Sequence, residues 1–226
     1  HDAMDIVGGE PMPKWFQLAQ QASPETPLHI NDYGILTGGD ANNSPQRQRY
    51  EDIIAGLLEA GTPLHGIGMQ GHFGEHMTPP DALYEVLDRY SRFGLPLHIT
   101  EFDIDSADEQ LQADYTRDFM TLVFSHPQVS TFNLWGFWEG RHWRPRAALF
   151  RTDWELKPNG KAYHDLVYDT WWTDVAGTTS EEGLYAQRVF LGEYRITVEN
   201  DGRKMERTVT VSKETDVLVI RFENQL

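Results

Sequence analysis

Leu97-His-Ile-Thr-Glu-Phe-Asp103 is the stretch on which the fold turns. Leu97 to Thr100 alternate apolar and polar residues as a strand does, and two acids, Glu101 and Asp103, follow at its end. The same arrangement recurs on both sides of it. Leu28-His-Ile30 runs into Asn31-Asp32-Tyr33, Gly66-Ile-Gly-Met69 runs into Gln70 and His72, and Phe132-Asn-Leu134 runs into Trp135. Helical spacing fills the intervals. A helix is expected around Pro13 to Ala22, and one opened by Ser44-Pro45 carries Ile53, Ile54, Leu57 and Leu58. Another, capped by Thr78-Pro79, carries Leu83, Val86, Leu87 and Tyr90. One more runs from Ser106 to about Phe124, and a last one from Lys161 to Trp171. Alternating strands and helices imply parallel strands, because a parallel pair needs a crossover. Functional groups at the C-terminal ends of such strands suit a (β/α)8 barrel. A doubly wound sheet gives the same local pattern, although no glycine-rich phosphate loop follows any strand, and periodicity alone leaves both architectures open.

After Trp172 the pattern changes. Tyr194-Arg-Ile-Thr-Val198 and Arg207-Thr-Val-Thr-Val211 alternate about a turn signal at Asn200-Asp-Gly202, and Val217 to Phe222 reads as a further strand. Thr178, Thr179 and Ser180 read as part of a linker, so residues 176–226 are expected to form a small sandwich-like β module. Tyr185, Phe190, Tyr194 and Phe222 are expected to be its core rather than a sugar platform.

Composition narrows the function classes. The 226 residues carry a formal net charge of -16, which argues against nucleic acid or an anionic membrane as partner, since those need Lys and Arg against phosphate. No apolar run is long enough to span a bilayer, and the N-terminal residues lack a signal peptide's basic start and apolar stretch. With 0 cysteines there is no disulfide, thiolate zinc site or thiol nucleophile. His65, His72, His76, His98 and His142 lack helical ligand spacing, so neither a metal nor a cofactor is expected. Seven Trp and nine Tyr suit stacking on sugar rings, although taken alone that composition favours core packing.

A carboxylate at a strand end, such as Glu101, can be a nucleophile, a base, a metal ligand or a capping group. Its neighbours narrow the choice. His72 and Asp103 stand at adjacent strand ends, where a His can orient a carboxylate and an Asp can fix its tautomer. Trp135 and Trp143 offer apolar walls to a flat, hydroxyl-rich ligand.

Asn31-Asp-Tyr33, Gly66-Ile-Gly-Met-Gln-Gly-His72, Ile99-Thr-Glu-Phe-Asp103, Leu134-Trp-Gly136 and the Trp-rich segment Trp135 to Trp143 resemble, in order, the motifs closing the last four strands of family 10 xylanases. The resemblance covers about residues 1–172. It implies the second half of a (β/α)8 TIM barrel, with four βα units over residues 1–175, and a retaining hydrolase that cuts β-1,4-xylan internally. By the same resemblance Glu101 is the nucleophile, His72 hydrogen-bonds it, and Asp103 backs the imidazole. Gln70 meets the sugar near the cleavage point, Tyr33 lines the leaving-group side, Asn31 supports the strand end, and Trp135 and Trp143 stack on or close over the sugar. Xylan or a xylo-oligosaccharide is the implied ligand, and a secreted or periplasmic location the implied setting.

One departure stands out. The family's acid/base Glu lies in a Trp-Asp-x-x-Asn-Glu motif after the fourth strand, and no such motif occurs here. Glu10 is a poor substitute, because no apolar strand precedes it and only a short helix separates it from Asn31. The expectation is a chain that starts just after that motif and is inactive alone. It would either pair with the N-terminal half of the barrel or a second copy, or act as a carbohydrate-binding or structural unit. A related glycosidase acting on another β-glycan is the alternative enzyme.

Overall fold

The computed structural model describes residues 6, 8, 11–37, 44–215 and 217–219. Glu10 and the segment 220–226 lie outside the described residues. Two compact units are distinguished, His1–His164 and Asp165–Leu226, whereas the sequence reading puts the boundary at 175.

In the first unit, helix α1 (Met12–Ala22) leads to strand β1 (His29–Asp32), α2 (Pro45–Glu59), β2 (Gly66–Met69) and β3 (His72–Phe73). Helix α3 (Pro80–Ser91), β4 (Leu97–Ile104), α4 (Glu109–Ser125), β5 (Val129–Leu134) and α5 (Pro158–His164) follow. Every pairing is parallel: β1 with β2, β2 and β3 with β4, and β4 with β5. Because β2 and β3 both lie along β4, they are one strand interrupted at Gln70-Gly71. The sheet therefore has sequential neighbours, as in a segment of a barrel wall.

The helices form for the reasons their sequences supply. Pro45 starts α2 with its fixed φ, and Ser44 occupies the N-cap position without a side-chain cap bond. Thr78, expected to cap α3, is fully buried instead and donates its hydroxyl to Leu36 O at 2.8 Å. Asp108, not Ser106, caps α4, accepting from the amides of Gln110 and Leu111 at 3.0 Å each. Tyr115, Phe119 and Val123 recur on the buried face of α4. Phe119 stacks on Phe102 of β4, with ring centroids 4.6 Å apart and planes at 5°. Phe73 meets the same pair edge-on, 5.2 Å from Phe119. This aromatic stack fastens α4 to β3 and β4. Alongside it, the buried Glu51 holds Arg89 and Arg92, tying α2 to α3. No helix among the described residues is long and apolar enough to cross a membrane.

The second unit begins in a π-helical turn, Asp165–Thr170, where the sequence suggested continuous α-helix from Lys161 to Trp171. Its β structure is the hairpin β6 (Gly192–Asn200) with β7 (Arg203–Val211), turned at Asp201-Gly202 with φ of 50° and 75°. Of the expected sandwich, the described residues contain this one ribbon. Val217 to Val219 form no strand, and no second sheet covers the hairpin among the described residues. Tyr185 and Phe190, expected in a core, are exposed by 48% and 39%. Among the described residues there is one ribbon and no second sheet face to bury them against, and Phe222 lies outside the described residues.

Candidate active site

Glu101 owes its direction to an irregularity in β4. Against β5, Ile99 pairs with Phe132 and Phe102 with Leu134, so β4 carries one residue more than its partner between these points. Such a bulge breaks the alternation of faces. Two consecutive side chains thereby reach the same neighbour: Thr100 Oγ1 donates to Asn31 Oδ1 at 2.9 Å, and Asn31 Nδ2 donates to Glu101 Oε1 at 3.3 Å. Space for Asn31 comes from Gly68, where a Cβ would stand 2.7 Å from Asn31 Oδ1.

The other carboxylate oxygen of Glu101 faces His72 Nε2 at 3.0 Å. His72 Nδ1 lies 3.0 Å from Asp103 Oδ1. Asp103 is buried, with a side chain 1% exposed, and accepts the Trp143 indole N–H at 2.6 Å on Oδ2. His142 Nε2 stands 3.9 Å from that same oxygen. Burial pulls the His72 pKa down, but Asp103 and then Glu101 outweigh it and raise the pKa above 6.5. His142 moves the other way, because burial dominates over the attraction of Asp103. Gly136, at φ 113°, lets the chain pass His142, whose Cδ2 would meet a Cβ at 2.8 Å.

In front of Glu101 is a groove of about 460 Å³, walled by Tyr33, Gln70, His72, Trp135 and Trp143, with Gly34, Thr37 and Arg144 at its margin. Trp135 and Trp143 expose 47% and 53% of their surface, so neither is a core residue. Both rings stand steeply to the imidazole of His72, at 77° and 67°, with centroids at 6.0 and 4.9 Å. Tyr33 is positioned through Asp32, which accepts the Tyr33 amide at 2.8 Å and the Gln46 side-chain amide at 3.0 Å. Burial raises the pKa of Asp32 despite these bonds.

All eight residues singled out in the sequence converge. Glu101, His72, Gln70, Tyr33, Trp135 and Trp143 line the groove, while Asn31 and Asp103 stand behind and hold Glu101 and His72. Three further participants carried no signal of their own. Thr100 reads as a strand residue facing away, His142 as one His among several, and Arg144 as the residue after a Trp. Arg144 places Cζ 4.1 Å from the Trp143 ring centroid, and its amide donates to His142 Nδ1 at 3.1 Å.

A strand-end glutamate held by an asparagine and by a histidine–aspartate pair, in that chain order, coincides with a family match over residues 2–167 to Glycosyl hydrolase family 10. The chain belongs to glycosyl hydrolase family 10. Among its relatives, Endo-1,4-beta-xylanase 1 of Arabidopsis thaliana is 32% identical over 98% of this chain and 23% of its own length. Anti-sigma-I factor RsgI6 of Acetivibrio thermocellus is 31% identical over 94% of this chain and 27% of its own. Xylanase 10B of Thermotoga petrophila, solved in complex with xylobiose, superposes with a TM-score of 0.65 at 26% identity, over 73% of this chain and 53% of that one. The chain thus spans about a quarter of these curated relatives and about half of the solved family 10 domain.

Proposed function

We propose that the first unit carries the nucleophile side of a retaining β-1,4-xylan hydrolase. The observation that carries this reading is the hold on Glu101. Asn31 donates to one oxygen at 3.3 Å, and His72, backed by Asp103, stands 3.0 Å from the other. A carboxylate fixed at both oxygens beside exposed Trp rings suits attack on the anomeric carbon of a stacked sugar. Glu101 forms an ester to that carbon as the bond to the leaving oxygen breaks, and water later cleaves the ester. Glu101 in turn helps to raise the His72 pKa, so an imidazolium there and an ionised Glu101 favour each other.

Retention needs a second carboxyl group about 5 Å away to protonate the leaving oxygen. Glu101 is the one carboxylate among the described residues that line the groove, so the acid/base is assigned to polypeptide outside them. The same observation favours a second reading, in which the groove binds xylan without cutting it.

An activated 2-fluoro-xylobioside with a dinitrophenolate leaving group separates the two, since that group leaves without a proton. The expected result is one equivalent of dinitrophenolate and a fluoroxylobiosyl adduct on Glu101, absent from Glu101→Ala. Binding of xylo-oligosaccharide with no adduct leaves the binding reading; an adduct elsewhere, or neither adduct nor binding, overturns the assignment.

A further inference from the structure

The groove lining includes a cation, Arg144, that makes no ion pair among the described residues. Several arginines of the first unit are paired with carboxylates: Arg89 and Arg92 share Glu51, Arg117 meets Asp114 and Asp118, Arg146 meets Asp105, and Arg151 meets Glu109, whereas the buried Arg47 donates to Ile35 O. Arg144 has no carboxylate within 4.0 Å among the described residues, although it is half-buried and the chain has a net charge of -16. It is nevertheless not loose. Its guanidinium lies over the Trp143 ring at 4.1 Å, and Trp143 is anchored by its indole bond to Asp103 at 2.6 Å. A guanidinium held by one face keeps its N–H edges free, and those edges match a carboxylate in bidentate geometry. Stacking on the ring narrows its rotamers before any ligand arrives, so less entropy is lost on binding.

Resting on the reading of the groove given above, we propose that Arg144 selects β-1,4-xylan chains bearing a carboxylate, that is, uronic acid branches, over unsubstituted chains. Overall repulsion between an acidic protein and an acidic glycan does not defeat this, because charges beyond about 8 Å are screened at physiological salt. The carboxylate meets Arg144 at the groove margin while the neutral backbone stacks on Trp143 and Trp135 beside Glu101.

The test is calorimetric titration with two thio-linked xylotetraoses, which resist cleavage, one neutral and one carrying a single glucuronic acid branch. The wild-type chain is expected to bind the acidic ligand about five- to tenfold tighter at low salt. Raising the salt should shrink that preference, Arg144→Met should abolish it, and Arg144→Lys should keep part of it. Equal affinities in the wild type overturn the proposal and leave the xylan reading standing. An equal loss for both ligands in Arg144→Met also overturns it, and assigns Arg144 to support of the Trp143 ring. Failure of both ligands to bind overturns both the proposal and the reading it rests on.

Discussion

His72 sits between two acids, and its charge is set by which influence wins. Burial opposes the imidazolium, while Asp103 and Glu101 favour it, and the outcome is a pKa above 6.5. The folded protein therefore holds this proton more tightly than the unfolded chain. The associated stabilisation is complete below pH 6.5 and disappears as pH rises through the folded-state pKa. Asp103→Asn removes the larger of the two carboxylate contributions while leaving an acceptor for the Trp143 indole. NMR titration should find the His72 midpoint above 6.5 in the wild type and clearly lower in this variant. The urea-midpoint gap between the two proteins should be wider at about pH 5.5 than at about pH 8.5. Identical His72 midpoints would remove Asp103 from this role.

At the scale of elements, strand β2 governs whether its neighbours can present their side chains. A Cβ at Gly66 would stand 2.6 Å from His98 and 2.9 Å from His29, which stack on each other with centroids 4.1 Å apart. A Cβ at Gly68 would press on Asn31 Oδ1 at 2.7 Å and on the backbone at Ile30 O at 3.0 Å. The backbone contact cannot swing aside, so the strands must separate or Asn31 must turn away. Gly68→Ala is expected to cost about 1–3 kcal/mol, measured by urea unfolding. It should also slow fluoroglycoside labelling of Glu101 further than Asn31→Ala does, because it displaces Thr100's partner and strains β1–β2 pairing together. Unchanged stability would mean that β1 yields without cost.

For the whole molecule, the decisive quantity is how strongly turnover depends on the leaving group. General acid catalysis is worth about 10²–10⁴ in rate, and only leaving groups that need a proton forfeit it. On the function proposed above, with the acid/base supplied from elsewhere, the 226-residue chain is expected to release dinitrophenolate from an aryl xylobioside while cutting unsubstituted xylan slower by at least that factor. Adding a polypeptide that carries the family's acid/base half should raise xylan cleavage and leave dinitrophenolate release nearly unchanged. Comparable rates on the two substrates for the chain alone would show that it supplies its own acid and overturn this expectation.

Much of this was legible in the residues themselves. Apolar alternation ending in Asn31, Gln70, Glu101 and Trp135 identified the parallel strands and the end of the sheet where the site lies, because side-chain period and strand-end chemistry are local properties. Helix starts were less secure. Thr78 and Ser106 have the side chains of caps but spend their hydroxyls on Leu36 and Glu75, contacts more than thirty residues away in sequence. Of the β module, alternation in β6 and β7 specifies a ribbon but not what covers it. Strand alternation also assigns Thr100 and Glu101 to opposite faces. Only pairing with β5, one residue shorter across this step, turns both toward Asn31 and sets Glu101 against His72. Residue type and spacing were enough to name the groups of the site, whereas register between strands distant in sequence decided their direction, because a bulge is a property of two strands at once.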